Sequence, residues 1–301
     1  MNKIIDQLAS DVGVSNKLLL EKDLHLHKLL IAISNNKYLQ ENLVFKGGTC
    51  IIKCYLGYYR FSEDLDFTWI NQKEFEKKSQ KEIRKIISQK TNSILRIIND
   101  IAKNLNMDFK SNKNDRKYIE FGGSNKFLTI KMWYESEAIK TLQFIKIQIN
   151  FFEKIYYPFK ILKAKSIVQN INIKEFKFLF PEYAYLLELP KIKCYDIKEI
   201  LAEKVRAILT RRGFKARDFI DVYIITTKQK IKPAALKEQI IGKIKFMMRY
   251  DKYVQNINDF RFDKFVLGEE EKILLKPLDK GFEAFLKENS SFLLELIESI
   301  K

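Results

Sequence analysis

Cysteine and histidine are scarce in this sequence, with three of the one and two of the other in 301 residues. So small and odd a number of cysteines in a long chain excludes a disulfide framework. Cys50 and Cys54 have the spacing of one helix face, but a zinc site needs about four ligands. The imidazoles, His25 and His27, lie two apart in a helical stretch and point in different directions. Ordinary buried or surface thiols are the expectation. So little histidine also argues against a Ser-His-Asp or Cys-His enzyme. Long apolar runs are missing as well. None approaches the roughly 18–20 residues that span a bilayer. The opening MNKIIDQLASDVG carries acids early and lacks a hydrophobic leader segment. A soluble, cytoplasmic protein with no membrane partner is expected.

What is present is apolar bulk and positive charge. The hydrophobic fraction is 46%, enough for a buried core, and the length suits one large domain or two. The net charge of +17 suggests a polyanionic partner such as nucleic acid or nucleotide phosphates. A Lys-rich, AT-biased composition would give the same charge, so it supports an argument without making one. Two stretches are locally basic, 71–118 and 191–218. The first reads as the solvated face of a helix, the second as a place for RNA phosphate contacts.

Hydrophobic periodicity predicts a helix over 15–39, with Leu18, Leu19, Leu26, Leu29, Leu30 and Ile33 on its apolar face. Leu43-Val44-Phe45 reads as a strand running into a Gly47-Gly48 turn, followed by a helix that stops near Gly57. Residues 65–69 read as another strand, and 72–107 as one long helix or two. Residues 126–134 and 142–152 alternate apolar and polar side chains, as paired antiparallel strands do, with Gly122-Gly123 as a turn before them. After Pro181 and Pro190 the texture becomes helical, over 197–212, 216–229, 233–249 and 280–300. Two domains are expected, 1–180 and 181–301.

The chemistry gathers in FKGGTCIIKCYLGYYRFSEDLDF. Two glycines at a strand end let the backbone turn tightly and approach a ligand. The helix after them would aim N–H groups at an anion, with Thr49 adding a hydroxyl and Lys46 a cation. Strand period two puts Asp64 and Asp66 on one face, and Leu65 and Phe67 on the other. Paired carboxylates suit Mg²⁺ (or Mn²⁺), which binds one or two carboxylates together with substrate phosphates. Arg60, just upstream, is near enough to assist a phosphate or to pair with Glu63. Either motif alone is weak; the order strand, Gly-Gly, helix, strand, Asp-x-Asp is stronger.

FKGGTCIIKCY followed by RFSEDLDF resembles the AbiEii/AbiGii toxin family of nucleotidyltransferases, within the polymerase-beta-type superfamily. EKDLHLHKLL resembles that family's opening helix. The resemblance implies an α+β fold, a mixed β-sheet flanked by helices, with a helical bundle after it. It implies an active site holding Gly47, Gly48, Asp64 and Asp66, with Lys46, Thr49 and Arg60 beside it. IKEILAEKVRAILTRRGFKARDFIDVYII also resembles the family, placing Lys204 and Asp218 or Asp221 at functional positions. Lys204 borders the stripe Leu201, Val205, Ile208 and Leu209, and a Lys there either snorkels or serves a phosphate. Asp218 and Asp221 share a helix face. Without the resemblance, an ordinary pairing of these acids with Arg211, Arg212 or Arg217 is the simpler reading.

One position departs from the superfamily pattern. Gln148 stands where a third carboxylate is expected, and an amide is a poor general base. The sequence-based expectation is a metal-dependent transfer of a nucleoside monophosphate from an NTP to an acceptor. A tRNA 3′ end suits the charge. The resemblance implies the toxin of a bacterial toxin–antitoxin or abortive-infection system, with a cognate antitoxin as partner. The alternatives are a catalytically impaired nucleotide- or RNA-binding protein, and a transferase that modifies protein hydroxyls.

Overall fold

The computed structural model describes residues 2–170, 172–262 and 267–300. The chain folds as two compact units. One comprises residues 1–153 and 159–194, the other 154–158 and 195–301.

The first unit is built on a seven-stranded mixed sheet of order β3-β4-β5-β2-β1-β7-β6. Its strands are β1 (Leu43–Lys46), β2 (Asp64–Trp69), β3 (Ile119–Gly122), β4 (Phe127–Glu135), β5 (Leu142–Asn150), β6 (Lys160–Lys163) and β7 (Lys191–Cys194). β4 and β5 pair antiparallel, as the alternation predicted. β2 pairs antiparallel with β1 and parallel with β5. One face of this central part is apolar, with Leu65, Phe67, Ile145, Ile147, Ile149, Leu128, Ile130 and Met132 all buried. Burial of such side chains contributes about 1.5–3 kcal/mol each, which fixes the register: a one-residue slip would turn every one of them outward. The opposite face carries Asp64 and Asp66.

The helices of this unit are α1 (Asn2–Val12), α2 (Lys17–Asn35), α3 (Lys37–Asn42), α4 (Gly47–Cys50), α5 (Gln80–Asn104) and α6 (Ile173–Leu179). α2 packs on β2, β5 and α5. The single helix expected over 15–39 is two, because Asn36 is extended and its side chain caps α3 by accepting from Leu39 N at 3.0 Å. The helix expected from 72 begins only at Gln80. Ser79 and Glu82 form a reciprocal capping box there, and 72–75 is a short 3₁₀ turn. β3, β6, β7, α1 and α6 were not foreseen.

The second unit is helical: α7 (Ile197–Thr210), α8 (Ala216–Gln229), α9 (Lys237–Met247), α10 (Asp251–Asn258) and α11 (Gly281–Ile300). α7 packs on α8, α9 and α10, and α11 on α8 and α9. α10 is an addition to the expected set. The division at 194/195 lies downstream of the boundary at 180/181 suggested by Pro181. The reason is β7, which pairs with β1 and β6 and so keeps 181–194 with the sheet. Residues 154–158 belong to the second unit because Glu199 of α7 accepts from the backbone N–H groups of Tyr156 and Tyr157, both at 2.9 Å.

Candidate active site

β1 delivers the chain to Lys46, which stands opposite Asp66 of β2. The next residue, Gly47, has φ +76°, and a Cβ placed on it would run into the Asp66 carboxylate. The glycine therefore does two things: it supplies a left-handed backbone and leaves room for Asp66. Gly48 backs onto Arg60 and Ser62, and a Cβ there would lie 2.5 Å from Arg60 Nη2. The helix beyond starts as α4 and relaxes into a π-helical turn over Ile51–Leu56, ended by Gly57 at φ +74°. Such wide turns are rare and cluster at functional sites.

Asp64 and Asp66 lie half-buried on the polar face. Parallel pairing puts Lys146 beside Asp64, and Gln148 beside Asp66. The Gln148 amide donates across to Thr129 Oγ1 at 3.4 Å. The position expected to carry a third acid is thus adjacent to Asp66 and holds a neutral side chain.

A carboxylate not singled out in the sequence comes close by another route. Glu153, three residues past β5, accepts from Thr68 Oγ1 and Asn150 Nδ2, each at 2.6 Å, and from the Lys46 ammonium. Its own N–H donates to Gln72 Oε1 at 2.8 Å. Glu153 holds Lys46 at the end of β1, so the cation expected to serve phosphate already has an acidic partner. The sequence offered one hint: Asn150 and Thr68 end polar rows that lead to this carboxylate.

Two other expected ligand groups are interior. Thr49 is buried, with its hydroxyl 2.5 Å from the Asp64 carbonyl and 2.8 Å from Ser62 Oγ. It ties the start of the helix to β2. Arg60 is buried too and donates to Phe61 O at 2.6 Å. Its guanidinium lies under Gly48 and supports the turn with a fixed positive charge.

α2 anchors the loop between Gly57 and Asp64. Lys53, on the π-helical turn, is fully buried, with Nζ 2.8 Å from Asp23 Oδ1, and donates to Tyr58 Oη at 2.6 Å. Tyr58 Oη donates to Asp23 Oδ2 at 2.7 Å. Burial and the neighbouring Asp23 charge push the Tyr58 hydroxyl well above its ordinary range. Lys22 reaches Glu63 at 2.5 Å. Lys22 and Asp23 of α2 therefore position the segment that carries Arg60, Ser62 and Asp64.

In the second unit, α7 and α8 bring Lys204, Asp218 and Asp221 together. Lys204 Nζ is 2.8 Å from Asp218 Oδ1 and 2.7 Å from Asp221 Oδ2. Arg211 reaches Asp218 Oδ2 at 2.5 Å. Both carboxylates are buried. Burial pushes the Asp218 carboxyl up, but Lys204 and Arg211 outweigh it and hold it below the usual aspartate range. Arg217, considered as a surface partner for Asp221, faces Glu270 instead.

Paired oxygen donors on one strand, with space kept open by Gly47, fit a hard divalent cation. The family profile described as "Nucleotidyl transferase AbiEii toxin, Type IV TA system" matches residues 29–297. No curated protein matches the chain significantly by sequence. Among solved structures, MenT4, a nucleotidyltransferase toxin from Mycobacterium tuberculosis, is similar in fold at 17% identity and TM-score 0.52, covering 99% of both chains. JHP933 from Helicobacter pylori aligns at 16% identity and TM-score 0.45, covering 95% of this chain and 94% of its own.

Proposed function

This chain belongs to the AbiEii family of nucleotidyltransferase toxins of type IV toxin–antitoxin systems, and we propose on that footing that it transfers a nucleoside monophosphate from an NTP to an RNA hydroxyl, with a divalent cation at Asp64 and Asp66. The observation that carries this reading is the packing of Gly47 against Asp66, which joins a phosphate-approaching turn to a carboxylate pair. Asp64 and Asp66 would hold Mg²⁺ or Mn²⁺. The ion, when bound, offsets charge on the phosphates and lowers the pKa of an oxygen it contacts.

The chain's own groups have separable roles in this proposal. The Gly47-Gly48 backbone approaches the triphosphate. Arg60 beneath it adds a permanent positive potential. Thr49 and Ser62 hold the turn against β2, and Glu153 holds Lys46. Lys204 and its two acids form a second charged group, which the family resemblance puts at functional positions; contact with phosphate is the natural role for the Lys point charge. RNA as acceptor rests on the net charge of +17; a tRNA 3′ end offers the required hydroxyl. The antitoxin partner follows from family membership.

The test is incubation with each labelled NTP, total RNA and Mg²⁺ or Mn²⁺. Label is expected in RNA with one preferred nucleotide, and none with Asp64→Ala. A second reading, nucleotide binding without turnover, is favoured by Gln148 beside Asp66. It predicts cation-dependent NTP binding with no label transferred to RNA or protein. That outcome would replace the enzymatic reading.

A further inference from the structure

Three thiols that are far apart in sequence converge in the first unit. Cys50 ends α4, Cys54 lies on the π-helical turn, and Cys194 ends β7, in register with Phe45 of β1. Their sulfurs all lie within 4.8 Å of one another, and Cys54 and Cys194 Sγ are 3.7 Å apart. All three are free thiols.

We propose that Cys50, Cys54 and Cys194 form a buried three-thiolate site for Cu⁺, a soft d¹⁰ cation that three thiolates suffice to hold. Three sulfurs around one such ion, at bonds of about 2.3 Å, stand roughly 4 Å apart. The sulfur triangle is already close to that size, and side-chain rotation closes the difference. Cys50 and Cys194 are fully buried, which keeps water from competing. Among the described residues, no His, Asp or Glu completes the set. An all-sulfur set selects soft ions and rejects Mg²⁺ and Ca²⁺, so this site is chemically distinct from the Asp64/Asp66 pair.

Ligation replaces each S–H by a metal–sulfur bond and releases its proton to solvent: Cu⁺ with three thiols gives a tris-thiolate complex and three protons. The bound ion would pin the helix that follows Gly47-Gly48-Thr49 to β7. That couples soft-metal supply to the stiffness of the turn next to Asp66. The proposal does not depend on the transferase reading.

The experiment uses full-length protein, reduced and stripped of metal under anaerobic conditions. It is titrated with Zn²⁺ and, separately, Cu⁺ against chromophoric chelators, with Co²⁺ as a spectroscopic probe. The expected result is one equivalent bound with a thiolate-to-metal charge-transfer band. Binding should be retained in Asp64→Ala and weakened at least tenfold in both Cys54→Ser and Cys194→Ser. Zn²⁺, which needs a fourth ligand that this set lacks, should bind more weakly than Cu⁺. Cys54 is only partly buried, so its variant stays folded, which circular dichroism checks. Thiolate bands absent from folded wild-type protein, or affinities equal in wild type and both variants, would overturn the proposal and leave three packed thiols.

Discussion

Asp66 of β2 and Gln148 of β5 are direct neighbours in a parallel ladder. Side chains so paired lie on the same face, so a carboxylate at position 148 would share any cation held by Asp66. Gln148→Glu is nearly isosteric. It should lower the half-saturating Mg²⁺ concentration for transfer by about tenfold, an added hard ligand of opposite charge. An unchanged or raised Mg²⁺ requirement would show that the ion does not bind on this face.

Gly47 is the second place where one atom decides. Gly47→Ala imposes a left-handed conformation on an L-residue, about 1–2 kcal/mol, and sets a methyl 3.0 Å from Asp66 Cβ and Cγ. Displacing the carboxylate should reduce transfer by about 100-fold or more. Gly13→Ala is the control: Gly13 has φ +70° but nothing within 4 Å of an added Cβ. It should cost similar stability and leave activity intact. Equal activity losses in the two variants would mean that backbone strain, not the collision, matters.

Local signals in the sequence disclosed much of this. The alternating rows of β4 and β5 and the Gly47-Gly48 turn followed by Asp64 and Asp66 all stand where period and motif put them, because burial of one sheet face enforces register. What the sequence did not disclose depends on contacts between distant segments. Glu153 meets Lys46 and Thr68 only once β5 lies beside β2, and Cys194 meets Cys54 only once β7 lies beside β1. Thr49 and Arg60 have ligand-like chemistry but turn inward, since a tight turn also needs its own polar supports. Asn36 and Ser79 redrew two helices because a side-chain cap at a helix start outweighs continuous apolar periodicity.

Lys204 neutralises two buried acids at once, so its loss should be severe. Lys204→Met leaves Asp218 and Asp221 buried without that ammonium and should destabilise the fold by about 3–5 kcal/mol, measured by urea unfolding at pH 7. The sign of the pH effect follows from Asp218, whose folded carboxyl is held below its ordinary value. Its stabilising contribution is complete above the unfolded aspartate value of about 3.9 and disappears as pH falls through the lower folded one. Wild type should therefore hold this contribution down to about pH 4, whereas in Lys204→Met burial raises the carboxyls left without the ammonium, so the variant regains stability as they protonate and the gap narrows already above pH 4. A gap that stays constant from pH 7 down to pH 4 would assign the stability to other groups.

A separate acid response, at higher pH, belongs to the histidines. His27 is fully buried; its Nε2–H donates to Glu188 O at 3.1 Å, and Nδ1 finds no partner among the described residues. Burial, with the Lys53 charge, pushes its pKa down to about 3, and burial pushes His25 to about 4. Between those values and about 6.5 the unfolded chain takes up protons that the folded chain refuses, so stability falls as pH falls. From pH 7 to pH 5, His27 alone should remove about 2 kcal/mol, at 1.36 kcal/mol for each unit below 6.5. Urea midpoints across that range test it. His27→Gln keeps an N–H for Glu188 O but does not titrate, so it should flatten the slope by His27's share while Asp218 stays silent in this window. An unaltered slope in His27→Gln would mean that the folded protein accepts a proton at His27 after all.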